Sequence, residues 1–189
     1  MTDFRDYAIL TLPGWHNSGA DHWQTHWEAA LPNIARVEQD DWDAPLYGPW
    51  AERLTQAVAA AGRPVILVAH SLGTSLATRW AVETGAPGVA GALLVATTDR
   101  DRWESEPGEP QGFAPMVLSR LPFASTVIAS TDDPRCDFDR SRLFADAWGS
   151  RFVEAGALGH IGSATRLGTW PQGLVWLGEL IGRLGEGGR

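Results

Sequence analysis

The chain has 189 residues, 44% of them hydrophobic and 20% charged, so it can bury a core of its own and is neither disordered nor fibrous. Lys and Arg total 15 against 23 Asp and Glu, and the net charge of −8 argues against an electrostatic grip on nucleic acid or on an anionic membrane. The single cysteine, Cys136, excludes an internal disulfide framework and a cysteine-rich zinc module.

Residues 1–7 are polar and acidic, where a signal peptide would be basic and then apolar. No apolar run nears the roughly 18 residues of a membrane span, and a cytoplasmic protein is expected. Short apolar runs then alternate with longer amphipathic segments. Strands are expected at 7–12, 34–37, 65–69, 89–95, 125–129 and 151–154, and helices near 19–30, 48–61, 73–84, 139–148 and 170–184. This alternation reads as βαβ units in one domain spanning 1–189, a six-stranded parallel sheet with helices on both faces. The runs at 65–69 and 89–95 are almost wholly apolar, as central strands covered on both sides should be. Leu174, Leu177, Ile181 and Leu184 recur at helical spacing in the last helix. The segment 97–121, rich in Pro, Gly and acidic residues, reads as a lid or substrate-binding connection, with a short helix over 113–119. A glycine-rich tail closes the chain. Ten Trp stand against two Tyr, and some of these rings are expected to line a concave surface, although core packing accounts for them equally well.

The most informative stretch is Val65-Ile66-Leu67-Val68-Ala69-His70-Ser71-Leu72-Gly73. An apolar strand runs into small-x-Ser-x-Gly, and a helix pattern follows at once. A tight strand-to-helix turn lifts a serine hydroxyl clear of the sheet, and its flanking positions must be small because backbone passes close to backbone. The same turn aims the Leu72 amide and a helix N-terminus at an acyl oxygen, where developing negative charge is stabilised.

A nucleophilic serine needs a base, and the base needs an orienting acid. On such a sheet they follow in the order Ser, Asp, His, each after a strand. After the strand at 125–129 comes Ser130-Thr131-Asp132-Asp133-Pro134, and after 151–154 comes Gly159-His160. His160 is the only histidine beyond the acid. Asp133, fixed by Pro134, is preferred as the acid, with Asp132 the alternative. His70 adjoins Ser71, but its side chain should point away from it, which gives it a structural role. His22 and His26 lack the intervening Glu of a zinc-protease helix and any third ligand, so no metal is expected.

Taken together, Leu12-Pro13-Gly14-Trp15, Asp21-His22-Trp23, Ala69-His70-Ser71-Leu72-Gly73, Ser130-Thr131-Asp132-Asp133-Pro134 and Gly159-His160 resemble a small serine-hydrolase branch of the α/β-hydrolases, the one that includes retinoblastoma-binding protein 9 and the bacterial YdeN-like proteins. The resemblance covers nearly the whole chain. It implies a compact α/β-hydrolase fold whose nucleophile strand is third of six. It also implies Ser71 as nucleophile, His160 as general base, Asp133 as orienting acid, and the amides of Leu72 and Trp15 as oxyanion donors. Ala69 stands where many members have Gly, and the loop after Gly14 is not glycine-rich. The expected activity is cofactor-free hydrolysis of a small acyl ester, thioester or amide, with His16, Trp103 and Phe113 as candidate substrate-binding residues. The alternative is a protein-binding or regulatory protein on a hydrolase scaffold. A Leu-x-Cys-x-Glu motif for a retinoblastoma pocket is absent, since Cys136 sits in Pro134-Arg135-Cys136-Asp137-Phe138.

Overall fold

The computed structural model describes residues 3–186; Met1, Thr2 and residues 187–189, the end of the glycine-rich tail, lie outside the described residues. Six strands, β1 (Ala8–Leu12), β2 (Ile34–Arg36), β3 (Val65–His70), β4 (Val89–Val95), β5 (Ala124–Ala129) and β6 (Arg151–Glu154), form one sheet in the order β2-β1-β3-β4-β5-β6. Every neighbouring pair is parallel. The helices are α1 (Trp23–Ala30), α2 (Tyr47–Ala60), α3 (Leu72–Thr84), the single turn α4 (Arg100–Trp103), α5 (Phe138–Trp148) and α6 (Pro171–Glu186). The architecture is the expected compact α/β fold. Among the described residues, no helix is long and apolar enough to cross a membrane.

Alternation along the strands builds a core on each face. Leu10, Leu12, Val65, Leu67, Ala69, Ala92, Leu94 and Val127 point toward α2, α3 and α5. Ile9, Ile66, Val68, Leu93, Val95 and Ile128 point toward α1 and α6. Strands β3 and β4 are buried along nearly their whole length, which is why their sequence shows no polar alternation. Helix ends follow local chemistry. His22 caps α1 by accepting the Gln24 amide, so that helix begins at Trp23, later than the sequence pattern suggests. Gly85 and Gly149 end α3 and α5 in the left-handed conformation.

Sequence order leaves β1 for β2 on one side and returns to β3 on the other. That reversal is a topological switch point, where loops leaving the carboxyl ends of adjacent strands diverge and open a crevice. The loops after β1 and β3 are the ones that part there, and Gln24, fully buried, bridges the two strands near their ends by donating to the carbonyls of Val68 (2.9 Å) and Leu12 (3.3 Å).

The short helix expected over 113–119 is not formed. The carboxylate of Glu104 takes the amides of Gly112, Phe113 and Ala114, and Asp101 takes that of Met116. These side-chain oxygens hold the amides in irregular backbone, and Pro115 disfavours helical backbone at Ala114 ahead of it. Elsewhere in the 97–121 segment Arg140 grips Asp99, and Arg100 pairs with Glu109 and with the Pro110 carbonyl. The connection is laced to its surroundings by charge-assisted bonds.

Most of the tryptophans serve the core: Trp23, Trp27, Trp50, Trp80, Trp148 and Trp170 are buried. Several also clamp a loop through the indole N–H. Trp23 donates to the Ile161 carbonyl (2.9 Å), Trp27 to Thr169 (2.7 Å), Trp50 to Asp41 (3.0 Å), Trp148 to Val117 (2.7 Å) and Trp103 to Arg135 (3.0 Å).

Gly73 is the tightest point of the fold. A Cβ there would overlap the Leu12 carbonyl oxygen and lie 2.8 Å from that of Pro13, and backbone cannot swing aside as a side chain could. Gly73→Ala is therefore expected to cost about 3 kcal/mol, read as a lower urea midpoint with an unchanged slope.

Candidate active site

Ser71 sits between β3 and α3 with φ 56° and ψ −125°, a strained conformation for a residue with a side chain. The turn makes Ser71 half-buried at the crevice rather than part of either element. Gly14, leaving β1, passes so close that a Cβ there would lie 2.7 Å from the Ser71 Cβ. Ala69, at the position often held by glycine in the resembled family, packs its methyl into the core facing α2, α3 and α5.

The loops after β5 and β6 meet this turn. His160 Nε2 lies 2.7 Å from Ser71 Oγ, and His160 Nδ1 lies 2.8 and 2.9 Å from the two oxygens of Asp133. A carboxylate only accepts, so Nδ1 carries the imidazole proton and Nε2 is left to accept from the serine hydroxyl. Asp133, its side chain 3% exposed, also accepts the Arg135 amide at 2.8 Å. Asp132, the alternative acid, points elsewhere. Its Oδ1 accepts the Ser130 hydroxyl (2.7 Å) and the Gly159 amide (2.8 Å), and these bonds hold its carboxyl below the usual carboxylate range. Asp132 thus ties down the loop that presents His160.

The amides of Leu72 and Trp15, both beside Ser71, donate to no protein acceptor among the described residues. Leu72 opens α3, whose N-terminal dipole adds positive potential at the same place. A cavity of about 180 Å³ lies over these groups, lined by Trp15, Ser71, Leu72, Thr98, Arg100, Pro110, Arg135 and His160. A larger cavity, about 670 Å³, opens on the β2 edge between β1 and α2 and shares no residue with it.

The other candidate residues fall differently. His16 is exposed, stacked on Trp15 with ring centroids 4.4 Å apart and hydrogen-bonded to Asp43; it does not line the cavity. Phe113 is buried in the core against Tyr47 and Trp50, away from Ser71. Trp103 lies one layer behind the cavity wall, with the Arg135 guanidinium 4.4 Å above its ring. Sequence reasoning missed Thr98, Arg100, Pro110 and Arg135. Thr98 is the most telling of these, since its hydroxyl is 3.1 Å from Ser71 Oγ. With the serine proton directed at His160, the Thr98 hydroxyl is the donor in that contact. The only sequence signal for it was position, in the loop after the apolar run of β4.

His70 points away from Ser71 as expected and is buried, its Nε2–H donating to the His160 carbonyl at 2.8 Å. His22 packs on it with ring centroids 4.7 Å apart, and the His22 Nε2 is buried without a partner. Burial, reinforced by Arg36, pushes His22 down to about 4, and burial, reinforced by His22 and His160, holds His70 well below its ordinary value.

A family model described as "Serine hydrolase" matches residues 9–179. Among solved structures the chain is similar to a YdeN-like hydrolase from Pectobacterium atrosepticum, 31% identical over 95% of this chain and 93% of that one, with a TM-score of 0.85. It is also similar to the ydeN gene product of B. subtilis, 19% identical over 92% and 98% of the two chains, with a TM-score of 0.72. The type II thioesterase BorB of the borrelidin cluster shares the fold at 15% identity, covering 95% and 93%, with a TM-score of 0.67. No curated protein matches the sequence.

The buried histidines set a pH dependence of stability. Below pH 6.5 the unfolded chain binds a proton at His22 that the native protein refuses until about pH 4, so stability falls as pH is lowered through that window. The expected slope is about 1.4 kcal/mol per pH unit from His22 alone, with His70 acting in the same direction. His22→Asn keeps a capping oxygen, and a urea titration between pH 7 and 4.5 should show a shallower loss for that variant than for the wild type.

Proposed function

Because the chain belongs to the serine hydrolase family, we propose that it cleaves a small acyl ester, thioester or amide through an acyl-enzyme on Ser71. The observation that carries this reading is the continuous hydrogen-bonded line from Ser71 through His160 to Asp133, with bonds of 2.7 and 2.8 Å. A binding protein with vestigial chemistry has no need to keep those distances.

His160 Nε2 takes the Ser71 proton as Oγ attacks the substrate carbonyl carbon. Asp133 holds the imidazole in the required tautomer and stabilises the imidazolium that forms. The tetrahedral oxyanion lies against the Leu72 and Trp15 amides, whose donors need no rearrangement to meet it. His160 returns the proton to the leaving group as the carbon–heteroatom bond breaks. Water, deprotonated by His160, then attacks the acyl carbonyl, and collapse of the second tetrahedral intermediate restores Ser71 and frees the acid. Thr98 keeps the Ser71 oxygen on the line of attack by donating to its second lone pair. No step in this sequence asks for a metal or organic cofactor. The cavity of about 180 Å³ is small for a ligand site and favours short acyl groups, as in a carboxylesterase for small esters.

Labelling with a fluorophosphonate probe, read by intact mass and peptide mapping, should place one adduct on Ser71 and none on Ser71→Ala. Ser71→Ala and His160→Ala should each lower turnover of a short-chain ester by roughly 10⁴-fold. Loss of the Thr98 hydroxyl in Thr98→Val should cost about tenfold, within the range of one hydrogen bond. Well-folded wild type that takes no adduct would overturn the hydrolase reading and leave the binding protein in its place.

A further inference from the structure

The cavity over Ser71 has an uneven charge. Arg100 and Arg135 both line it, and no carboxylate does. Their counter-ion is Glu109, which does not line the cavity. Arg135 Nη2 donates to its two oxygens at 2.9 and 2.7 Å, and Arg100 Nη1 to one of them at 2.8 Å. Glu109 is thereby shared between the guanidinium groups, and Arg100 Nη2 donates to the Pro110 carbonyl at 2.7 Å. Glu104 comes only within 3.7 Å of Arg100 Nε, and its oxygens already accept the Gly112, Phe113 and Ala114 amides. Arg100 is 1% exposed, and its Nε, ion-paired with Glu104, makes no hydrogen bond. Arg135, its side chain 25% exposed, keeps Nε and Nη1 free of protein acceptors among the described residues. Its plane is fixed over Trp103, and its backbone is fixed by the Asp133 carboxylate and the Trp103 indole.

A guanidinium that keeps free donors and is preorganised beside a reacting centre is a ready partner for an anion. Resting on the hydrolase reading of the site, we propose that the substrate of Ser71 carries a carboxylate a few carbons from the scissile carbonyl, received by Arg135 with Arg100 behind it. The carboxylate belongs either to the acyl part or to the alcohol part of the ester, and the chemistry that recognises it is the same. Arg135 is then a specificity-determining residue, selecting small half-esters or carboxylated esters over neutral ones of equal length.

The test compares matched pairs followed by acid release in a pH-stat, with fluorophosphonate labelling of Ser71 run in parallel. For the acyl side the pair is monoethyl succinate against ethyl butanoate, and for the alcohol side 4-acetoxybutanoate against butyl acetate. In one pair kcat/KM should favour the anionic ester by about tenfold or more, the size expected of a charge-assisted hydrogen bond. Arg135→Gln should bring that ratio toward one, mainly through KM, and Arg135→Lys should retain part of it. A purely structural arginine would alter both esters of a pair alike and leave the ratio standing. Neutral esters preferred in both pairs by a protein whose Ser71 takes the label would overturn this inference and leave the hydrolase intact, as would a preference that survives Arg135→Gln. Absence of both labelling and turnover would instead overturn the hydrolase reading beneath it.

Discussion

The arrangement at Ser71 depends on how closely the chain leaving β1 can pass the turn that opens α3. Glycines placed reciprocally set that distance. Gly73, on the helix, clears the carbonyls of Leu12 and Pro13, while Gly14, on the β1 loop, clears the Ser71 side chain. At Gly73 both sides of the contact are backbone, so a misfit there cannot be absorbed by a rotamer change. The same approach brings the chain entering Trp15 against the turn that bears Ser71. It occurs at the sheet's point of reversal, where the loops after β1 and β3 have room to part above it.

Neighbouring residues in this site divide positioning from contact. Asp133 faces the His160 ring, whereas Asp132 holds the Gly159 amide just before it. Ser71 faces the cavity, whereas His70 holds the His160 carbonyl from below. Each strand end therefore supplies one group toward the crevice and one into the scaffold.

Much of this was legible in the sequence, for identifiable reasons. Strands β3 and β4 are buried on both faces and show as unbroken apolar runs. The small-x-Ser-x-Gly turn is legible because its steric demand acts on immediate neighbours. Asp132 and Asp133 could not be parted by composition, since adjacent carboxylates differ only in which way each points. Phe113 and Trp15 are both aromatic, and nothing local says that one fills the core beside Trp50 while the other lines the cavity. The helix expected over 113–119 is absent because Pro115 and the carboxylates of Glu104 and Asp101, eight or more residues back in the chain, hold its first residues in irregular backbone. Thr98, Arg100 and Arg135 were missed for a related reason. They meet Ser71 only after the loops following β4 and β5 are folded over it, a long-range fact that no spacing encodes.

The indole clamps carry a last consequence. The rings of Trp23 and Trp103 are bonded to the carbonyls of Ile161 and Arg135, next to His160 and two residues beyond Asp133. With only two tyrosines to compete with ten tryptophans, near-ultraviolet emission of the protein is dominated by these rings. An indole whose N–H exchanges a carbonyl for water emits at a longer wavelength. The loops bearing His160 and Asp133 thus come with built-in optical reporters, and a loss of either indole clamp can be read on unlabelled protein.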